Sequence, residues 1–315
     1  MKQSIPICFC IDYRMVMQLG VTITSLVLNA NGAIYDIIVV IDETVSETDK
    51  ERILSIGDFF EVSINLITVT NQFSSQIIHN SNWSKACYYR LLLPDLLADY
   101  DTVLYSYVDI IYQSSLLESY NPPPYDDYYV VACQDNMNSD TIQKQSKALG
   151  LTPEEIYFCA GLMIINLKKF RELELVEQSL KLVEQNFVCM DQDVLNCLCK
   201  GHVKYFSPFV CRFAPYILPI NPLEKEVLLT TEDITRSLNE AAIHYIGSSK
   251  PWNSFCHRWE VWWHYYTLSP FFDYNYYWQH QHDLANGDYL TFWRRLKLLI
   301  RYFIGKDSAI RRWLR

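Results

Sequence analysis

The chain of 315 residues is half apolar, 15% aromatic and 20% charged, enough to bury the core of one large domain or two modest ones. That content excludes a disordered chain, and only 9 Gly and 12 Pro exclude collagen-like and low-complexity ones. The formal charge of −9 is unevenly spread: residues 294–315 hold eight Lys or Arg against one Asp, so a tail of +7 follows a body of −16.

The N-terminus, Met1-Lys2-Gln3-Ser4, runs straight into a strand-like stretch without an apolar leader, which predicts no secretory signal. The ten Cys are then expected as thiols in a reducing, cytoplasmic setting. Cys8/Cys10 and Cys197/Cys199 are C-x-C pairs inside apolar runs, a spacing that suits packing better than structural zinc. Pro6 to Ile11 predicts a strand and Val16 to Asn29 a helix. The uncharged run Met15 to Tyr35 includes Gln18, Thr22, Thr24, Ser25, Asn29 and Asn31, too polar to cross a bilayer.

Asp36 to Ile41 predicts a buried strand and Ser46 to Ile56 a helix, with Asp49 three residues after Ser46 as a capping pattern. Val62 to Val69 predicts a strand, Trp83 to Leu97 a helix carrying Pro94, and Thr102 to Tyr107 a strand. Strands follow near Tyr129–Cys133 and Leu162–Asn166, and helices near Leu167–Asn186 and Asp191–Lys200. This alternation predicts an α/β fold with a mostly parallel sheet, helices on both faces and ligands at the carboxyl ends of the strands. No two of the nine glycines lie closer than eleven positions, so neither G-x-G-x-x-G nor a Walker A loop exists here.

Two stretches carry candidate chemistry. His244-Tyr-Ile-Gly247-Ser-Ser-Lys250-Pro251-Trp252 gathers a cation ligand, a glycine that admits close backbone approach and a phosphate partner. It reads equally as a surface loop with a buried Trp. Asp109 follows the strand-like Leu104-Tyr-Ser-Tyr-Val; there a carboxylate could hold a metal or a ligand, or form an ordinary turn.

Read together, these stretches resemble glycosyltransferase family 8, its "LYLDADII" strand end and "HYxGxxKPW" loop. Phe158-Cys-Ala-Gly161-Leu-Met-Ile-Ile-Asn-Leu-Lys-Lys169 is similar to the family's "FNAGVMLINLKKW", and Asp191-Gln192-Asp193-Val-Leu-Asn196 to its "DQDxLN". Ala86-Cys-Tyr-Tyr-Arg90-Leu-Leu-Leu-Pro94-Asp-Leu-Leu resembles "YYRLLLPELL", and Ile7-Cys-Phe-Cys-Ile-Asp12 resembles "IVFAxDD". The similarity is collinear from about residue 5 to residue 255.

The resemblance implies a GT-A fold in residues 1–255, followed by an aromatic and basic region in 256–315. It implies retaining transfer of glucose or galactose from a UDP-sugar to a glycan or glycolipid, such as a bacterial surface polysaccharide or lipopolysaccharide. Carried over by position, Asp109 and His244 would hold manganese or magnesium, and Gly247 and Lys250 the diphosphate. Asp12 would meet the uracil, Arg90 the donor, and Ala160 and Gly161 the sugar and its ribose side. Asp135 would contact the sugar, Asp191 would bind the donor hexose, and Gln192 would face the anomeric centre.

The chain departs from the family where Tyr107 replaces the first Asp of D-x-D. A neutral phenol does not replace a hard carboxylate ligand, which leaves open an altered metal site, a metal-independent enzyme, or a catalytically weak or inactive sugar-binding protein. Tyr13 and Arg14 follow Asp12 where acidic and amide residues are expected, and Cys159 replaces an Asn; Arg14 reads as a solvated loop residue or as a charge near the diphosphate.

In the tail, Trp293, Leu296, Ile300 and Phe303 fall at helical spacing with Arg294, Arg295 and Arg301 largely off that stripe. This predicts contact with an anionic membrane, on the inner face of the cytoplasmic membrane; a terminal helix packed on the acidic body is the alternative. Nucleic acid is not expected against an acidic body. Most of the aromatic run from Trp259 to Trp278 is expected to pack.

Overall fold

The computed structural model describes residues 4–70, 73, 76, 84–120, 127–135, 139–152, 154–207, 209–214, 231–285 and 296. Strand β1 (Ser4–Ile11) leads through a short 3-10 turn to helix α1 (Val16–Leu28), β2 (Ile34–Asp42), α2 (Glu47–Phe60) and β3 (Ile64–Val69). A 3-10 helix over Lys85–Leu92 runs into α3 (Leu93–Leu96), followed by β4 (Val103–Ser106), β5 (Ile110–Ile111), β6 (Val130–Gln134) and α4 (Ser139–Ala148). The chain continues with β7 (Phe158–Ile165), α5 (Leu167–Glu172), α6 (Leu175–Val183), α7 (Met190–Leu198), β8 (Val203–Tyr205) and β9 (Cys211–Phe213). It ends in α8 (Thr231–Asn239), β10 (Ala242–His244), α9 (Trp259–Leu268) and α10 (Tyr274–Ala285).

Seven strands form the central sheet in the order β3-β2-β1-β4-β7-β6-β8. Neighbours are parallel except around β7, which runs antiparallel to both β4 and β6. The sheet is buried on both faces, which explains the near-continuous apolar strands. In β2, Ile37, Val39 and Ile41 face a core with α1 and α2, while Ile38 and Val40 face a second core with α5, α6 and α7. A small sheet, β5-β10-β9, sits against α1 and the aromatic α9, where Trp262, Trp263 and Tyr266 are buried.

Three elements differ from expectation. The segment from Lys85 is 3-10 rather than α up to Leu92, because an α-helix through Pro94 would leave the Arg90 carbonyl without its donor and against the ring. The tighter winding lets the Leu93 N–H reach the Arg90 carbonyl instead. The single helix expected over 167–186 is two, broken where Glu174 adopts a left-handed φ of 53°. Arg171, just before the break, donates to the carbonyls of Pro94, Leu97 and Tyr100, which pins α5 to that loop and frees α6 to turn. Strand β7 begins four residues earlier than expected, at Phe158.

Among the described residues no helix is long and apolar enough to cross a membrane. The tail residues expected to meet a membrane lie outside the described residues, apart from Leu296.

Candidate active site

The carboxyl ends of β1, β4, β6 and β10 carry Asp12, Asp109, Asp135 and His244. Because β7 is antiparallel, its beginning, Cys159-Ala160-Gly161, lies at the same rim: the Tyr107 N–H donates to the Gly161 carbonyl at 2.8 Å. Against β6 the register jumps from Ala132↔Met163 to Cys133↔Cys159, so residues 160–162 have no partner on that side. Such irregularities re-aim groups beside functional sites, and here the freed Ala160 N–H donates to Gln192 Oε1 at 2.9 Å.

Two clusters flank this segment. On one side, Lys250 Nζ donates to Asp109 Oδ2 at 2.6 Å and to the Tyr245 carbonyl. His244 Nε2 lies 3.2 Å from Asp109 Oδ1, yet that buried oxygen accepts no hydrogen bond among the described residues. Burial alone would push the Asp109 carboxyl up; the Lys250 ammonium and the His244 ring outweigh it and hold the carboxyl well below the usual range.

The polar residues of α1 build this side. Thr22 Oγ1 donates to the Val108 carbonyl and Ser25 Oγ accepts from the Tyr112 N–H, clamping the segment that holds Asp109. Antiparallel pairing of His244 with Ile110, and the Tyr245 N–H on the Asp109 carbonyl, set the two residues side by side. The loop after β10 turns at Gly247, whose φ of 80° favours glycine. Its Pro251 carbonyl accepts from Trp263 Nε1 at 2.9 Å, fastening the loop to α9. A Cβ on Gly161 would stand 2.6 Å from His244 Cε1, so glycine is required for His244 to seat.

On the other side, every polar residue of the 191–196 stretch has a partner. Gln192 Nε2 donates to Asp135 Oδ2 at 3.1 Å and to the Tyr157 hydroxyl at 3.0 Å. Tyr157 donates to Asp193 Oδ1, while Asp193 Oδ2 accepts from Gln145 and from the Cys189 N–H. Asn196 bonds both the N–H and the carbonyl of Phe158, tying α7 to the start of β7. Asp191 pairs with Arg90 at 3.0 Å, both side chains almost fully buried. Burial raises the Asp191 carboxyl to about 6 against the pull of Arg90. The guanidinium sits in the corner made by the nearly perpendicular rings of Tyr105 and Tyr107, at 4.3 and 4.4 Å.

The sequence-predicted residues thus converge on one rim, with two qualifications. Arg90, expected at the donor, lies behind Asp191 rather than at the surface. Asp12, expected at the uracil, accepts from the Arg14 guanidinium at 2.8 Å and from Ser84 at 2.6 Å, so Arg14, an exposed loop residue, is also a partner of Asp12. Tyr157, Asp193, Asn196 and Tyr105 were not singled out; the i, i+2, i+5 spacing of Asp191, Asp193 and Asn196 was the available signal.

A divalent cation fits the remaining donor set only in part. Asp109 Oδ1, buried without a hydrogen bond, and His244 Nε2 face one another at 3.2 Å, close to the ~3 Å that separates adjacent ligands of an octahedral cation of this size. Tyr107 adds nothing ionic: burial pushes its phenol well above the ordinary value.

The chain resembles several proteins of known kind. It is 24% identical to the lipopolysaccharide 1,2-glucosyltransferase of Escherichia coli over 82% of this chain and 75% of that one. It is also 24% identical to the lipopolysaccharide 1,3-galactosyltransferase of Salmonella typhimurium, over 84% and 76%. Its fold matches the galactosyltransferase LgtC, solved with donor and acceptor sugar analogs, at a TM-score of 0.72 and 24% identity over 86% of this chain and 99% of that one. The model of glycosyl transferase family 8 matches residues 6–256, and the chain therefore belongs to that family and is a glycosyltransferase.

Proposed function

We propose that the protein is a retaining hexosyltransferase that moves glucose or galactose from UDP-glucose or UDP-galactose onto a glycan or glycolipid of the bacterial surface, lipopolysaccharide among them. One observation carries this reading. The 159–161 segment separates an ion-paired cluster, Lys250 with Asp109 beside His244, from an amide and carboxylate cluster, Gln192 with Asp135. A sugar diphosphate needs such a pair of environments, an ammonium beside its phosphates and an oriented amide at its sugar. The acceptor class rests on the relatives, and the inner membrane surface is proposed from the basic tail.

In this reading Lys250 and the N–H groups around Gly247 hold the diphosphate and stabilise the charge that develops as the sugar leaves. A divalent cation on Asp109 and His244 would add positive charge to the same leaving group. Gln192, its amide oriented by the Ala160 N–H and Asp135, presents an uncharged oxygen to the anomeric carbon. An amide is a poor nucleophile, so the acceptor hydroxyl attacks from the face the phosphate leaves. The bond from C1 to the phosphate oxygen breaks, the bond from C1 to the acceptor oxygen forms, and the acceptor proton passes to the departing phosphate. Asp135 and Asp191 contact the hexose, Asp12 the uracil, and Ala160 and Gly161 the sugar and ribose, with Arg90 holding Asp191 from behind.

UDP release from a panel of UDP-sugars, with and without manganese, tests the assignment. Turnover of one donor supports it and identifies the sugar. UDP binding without release from any donor would favour a silent sugar-binding member, the reading that Tyr107 motivates. A glycosyl adduct on a carboxylate, trapped and seen by mass spectrometry, would overturn same-face attack.

A further inference from the structure

Of the aromatic run from Trp259 to Trp278, α9 packs as expected and α10 does so on one face only. Toward α9 it turns Tyr277 and the buried His280, whose ring stacks on Trp263 at 4.0 Å. Tyr274 and Trp278, four residues apart and so on one side of the helix, are 65% and 60% exposed, and the exposed His282 continues their row. The neighbouring row, Asn275, Gln279 and Asp283, carries two amides and a carboxylate, with Gln279 Nε2 donating to Asp283 Oδ1 at 2.8 Å. Large aromatic side chains grouped in water mark binding surfaces.

The two rows define the partner. From Tyr274 to Asp283 there is no Lys, no Arg and no aliphatic side chain. Anionic lipid headgroups would find no cation here and would meet like charge at Asp273 and Asp283; an apolar protein surface would leave the amides and the carboxylate without partners. A chain of uncharged hexoses suits both rows. Its rings lay apolar C–H faces on the aromatic rings, and the hydroxyls at their edges exchange hydrogen bonds with the amides and the carboxylate. The surface is also tied to the candidate site. The Tyr276 hydroxyl donates to the Trp252 carbonyl at 3.2 Å and Trp263 Nε1 to the Pro251 carbonyl at 2.9 Å, so α10 and α9 together fasten the loop that carries Gly247 and Lys250.

We propose that the Tyr274 and Trp278 row, with Asn275 and Gln279 beside it, is a glycan platform that binds the uncharged hexose part of a chain-like acceptor. The inference rests on the glycan-acceptor reading above and deepens it.

Neutral gluco- and galacto-oligosaccharides, from monosaccharide to hexasaccharide, are titrated calorimetrically into the full chain, into Tyr274→Ala/Trp278→Ala and into Trp278→Phe. In at least one series affinity should rise with chain length, because two separate rings need a chain to cover them. The double variant should bind the hexasaccharide at least tenfold more weakly, the scale of losing aromatic anchors from an interface, while Trp278→Phe should keep most of the binding. Circular-dichroism melting checks that the variants fold; if the double variant does not, the dependence on chain length and Trp278→Phe set against Trp278→Ala decide the question.

No binding of any oligosaccharide, or hexasaccharide binding that the folded variants leave unchanged, would overturn the proposal. Phosphatidylglycerol vesicles or a second copy of the chain, held through Tyr274 and Trp278 in place of oligosaccharide, would overturn it too; vesicle sedimentation and analytical ultracentrifugation of the same variants detect them. UDP titrated into the natural chain keeps the two readings apart. UDP binding without oligosaccharide binding removes the platform alone, and oligosaccharide binding that depends on the aromatic pair, without UDP binding, removes the UDP-sugar reading alone.

Discussion

The two flanks of the 159–161 segment are built to different standards. On the Gln192 flank each polar side chain from 191 to 196 has a specific protein partner, and Gln192 alone has three. On the Asp109 flank Tyr107 brings no charge, the buried Asp109 Oδ1 accepts no hydrogen bond among the described residues, and one ammonium supplies the neutralising charge. Gln192 is oriented before a ligand arrives, with Asp191 Oδ2 and Arg90 Nη2 the atoms beside it that lack a hydrogen bond among the described residues, whereas the Asp109 flank leaves a carboxylate oxygen facing His244 for a ligand to meet. Preorganisation is most valuable where charge and geometry change at the reacting centre.

The largest effect should therefore come from the complete flank. Gln192→Ala removes the oriented amide and is expected to lower kcat by about 10³-fold with little change in KM, the pattern of a group that acts mainly in the transition state. Steady-state UDP release measures it. A loss of less than tenfold would break the comparison, since the most fully partnered residue would then be structural.

Lys250→Met probes the other flank. It strands Asp109, whose side chain is 18% exposed, and should cost about 3 kcal/mol of stability in addition to weakened UDP binding. Acid titration separates the flanks further. The Asp109 carboxyl is held below its unfolded value, so its stabilisation is present above about pH 4 and is lost as pH falls. The Asp191 carboxyl is raised to about 6, so its favourable contribution is present below about pH 4 and is lost as pH rises through 6. Relative to the natural chain, Asp191→Asn should gain about 2 kcal/mol between pH 4 and pH 7, while Asp109→Asn should stay level over that rise and recover stability relative to the natural chain only as pH falls below about 4. Urea denaturation at about pH 3, 4 and 7 measures this, and the same profile for both variants would show that the burial and pairing of the two carboxylates do not differ as described.

Gly161→Ala acts on the joint between the flanks. The added methyl would stand 2.6 Å from His244 Cε1 and 3.1 Å from Tyr107 Cδ2, so His244 must shift away from Asp109. UDP affinity in manganese should fall by about tenfold, the scale of a typical coupling between bound groups, while UDP affinity in chelator, where only the contact of residue 161 with the donor is disturbed, should fall less. A calorimetric loss of equal size under both conditions would place the damage in the fold rather than in the cation site.

Much of this arrangement was legible in the sequence, because strand ends, a carboxylate after a buried strand and a His–Gly–Lys loop are local patterns. The clamp of α1 on Asp109 was not: Thr22 and Ser25 read only as polar residues in an apolar run, and their partners lie 86 and 87 residues away. Nor was the register jump beside Ala160, since a bulge is set by both strands. Arg90 was legible as a functional charge but not as a buried one, for its burial depends on Tyr105, Tyr107 and Asp191 meeting across three elements.

The smallest expected effect tests whether the complete flank is truly over-determined. Tyr157→Phe removes one of the two acceptors of Gln192 Nε2 and one of three donors to Asp193. Asp135 still receives Gln192, and Gln145 and the Cys189 N–H still hold Asp193, so both anchors persist. The expected loss is about tenfold in kcat at unchanged KM, with stability lowered by about 1 kcal/mol for the missing buried hydrogen bonds. Combined with Gln192→Ala the change should add little, because Tyr157 acts through the amide that the second substitution has removed. Fully additive losses in that double-mutant cycle would mean that Tyr157 touches the sugar itself.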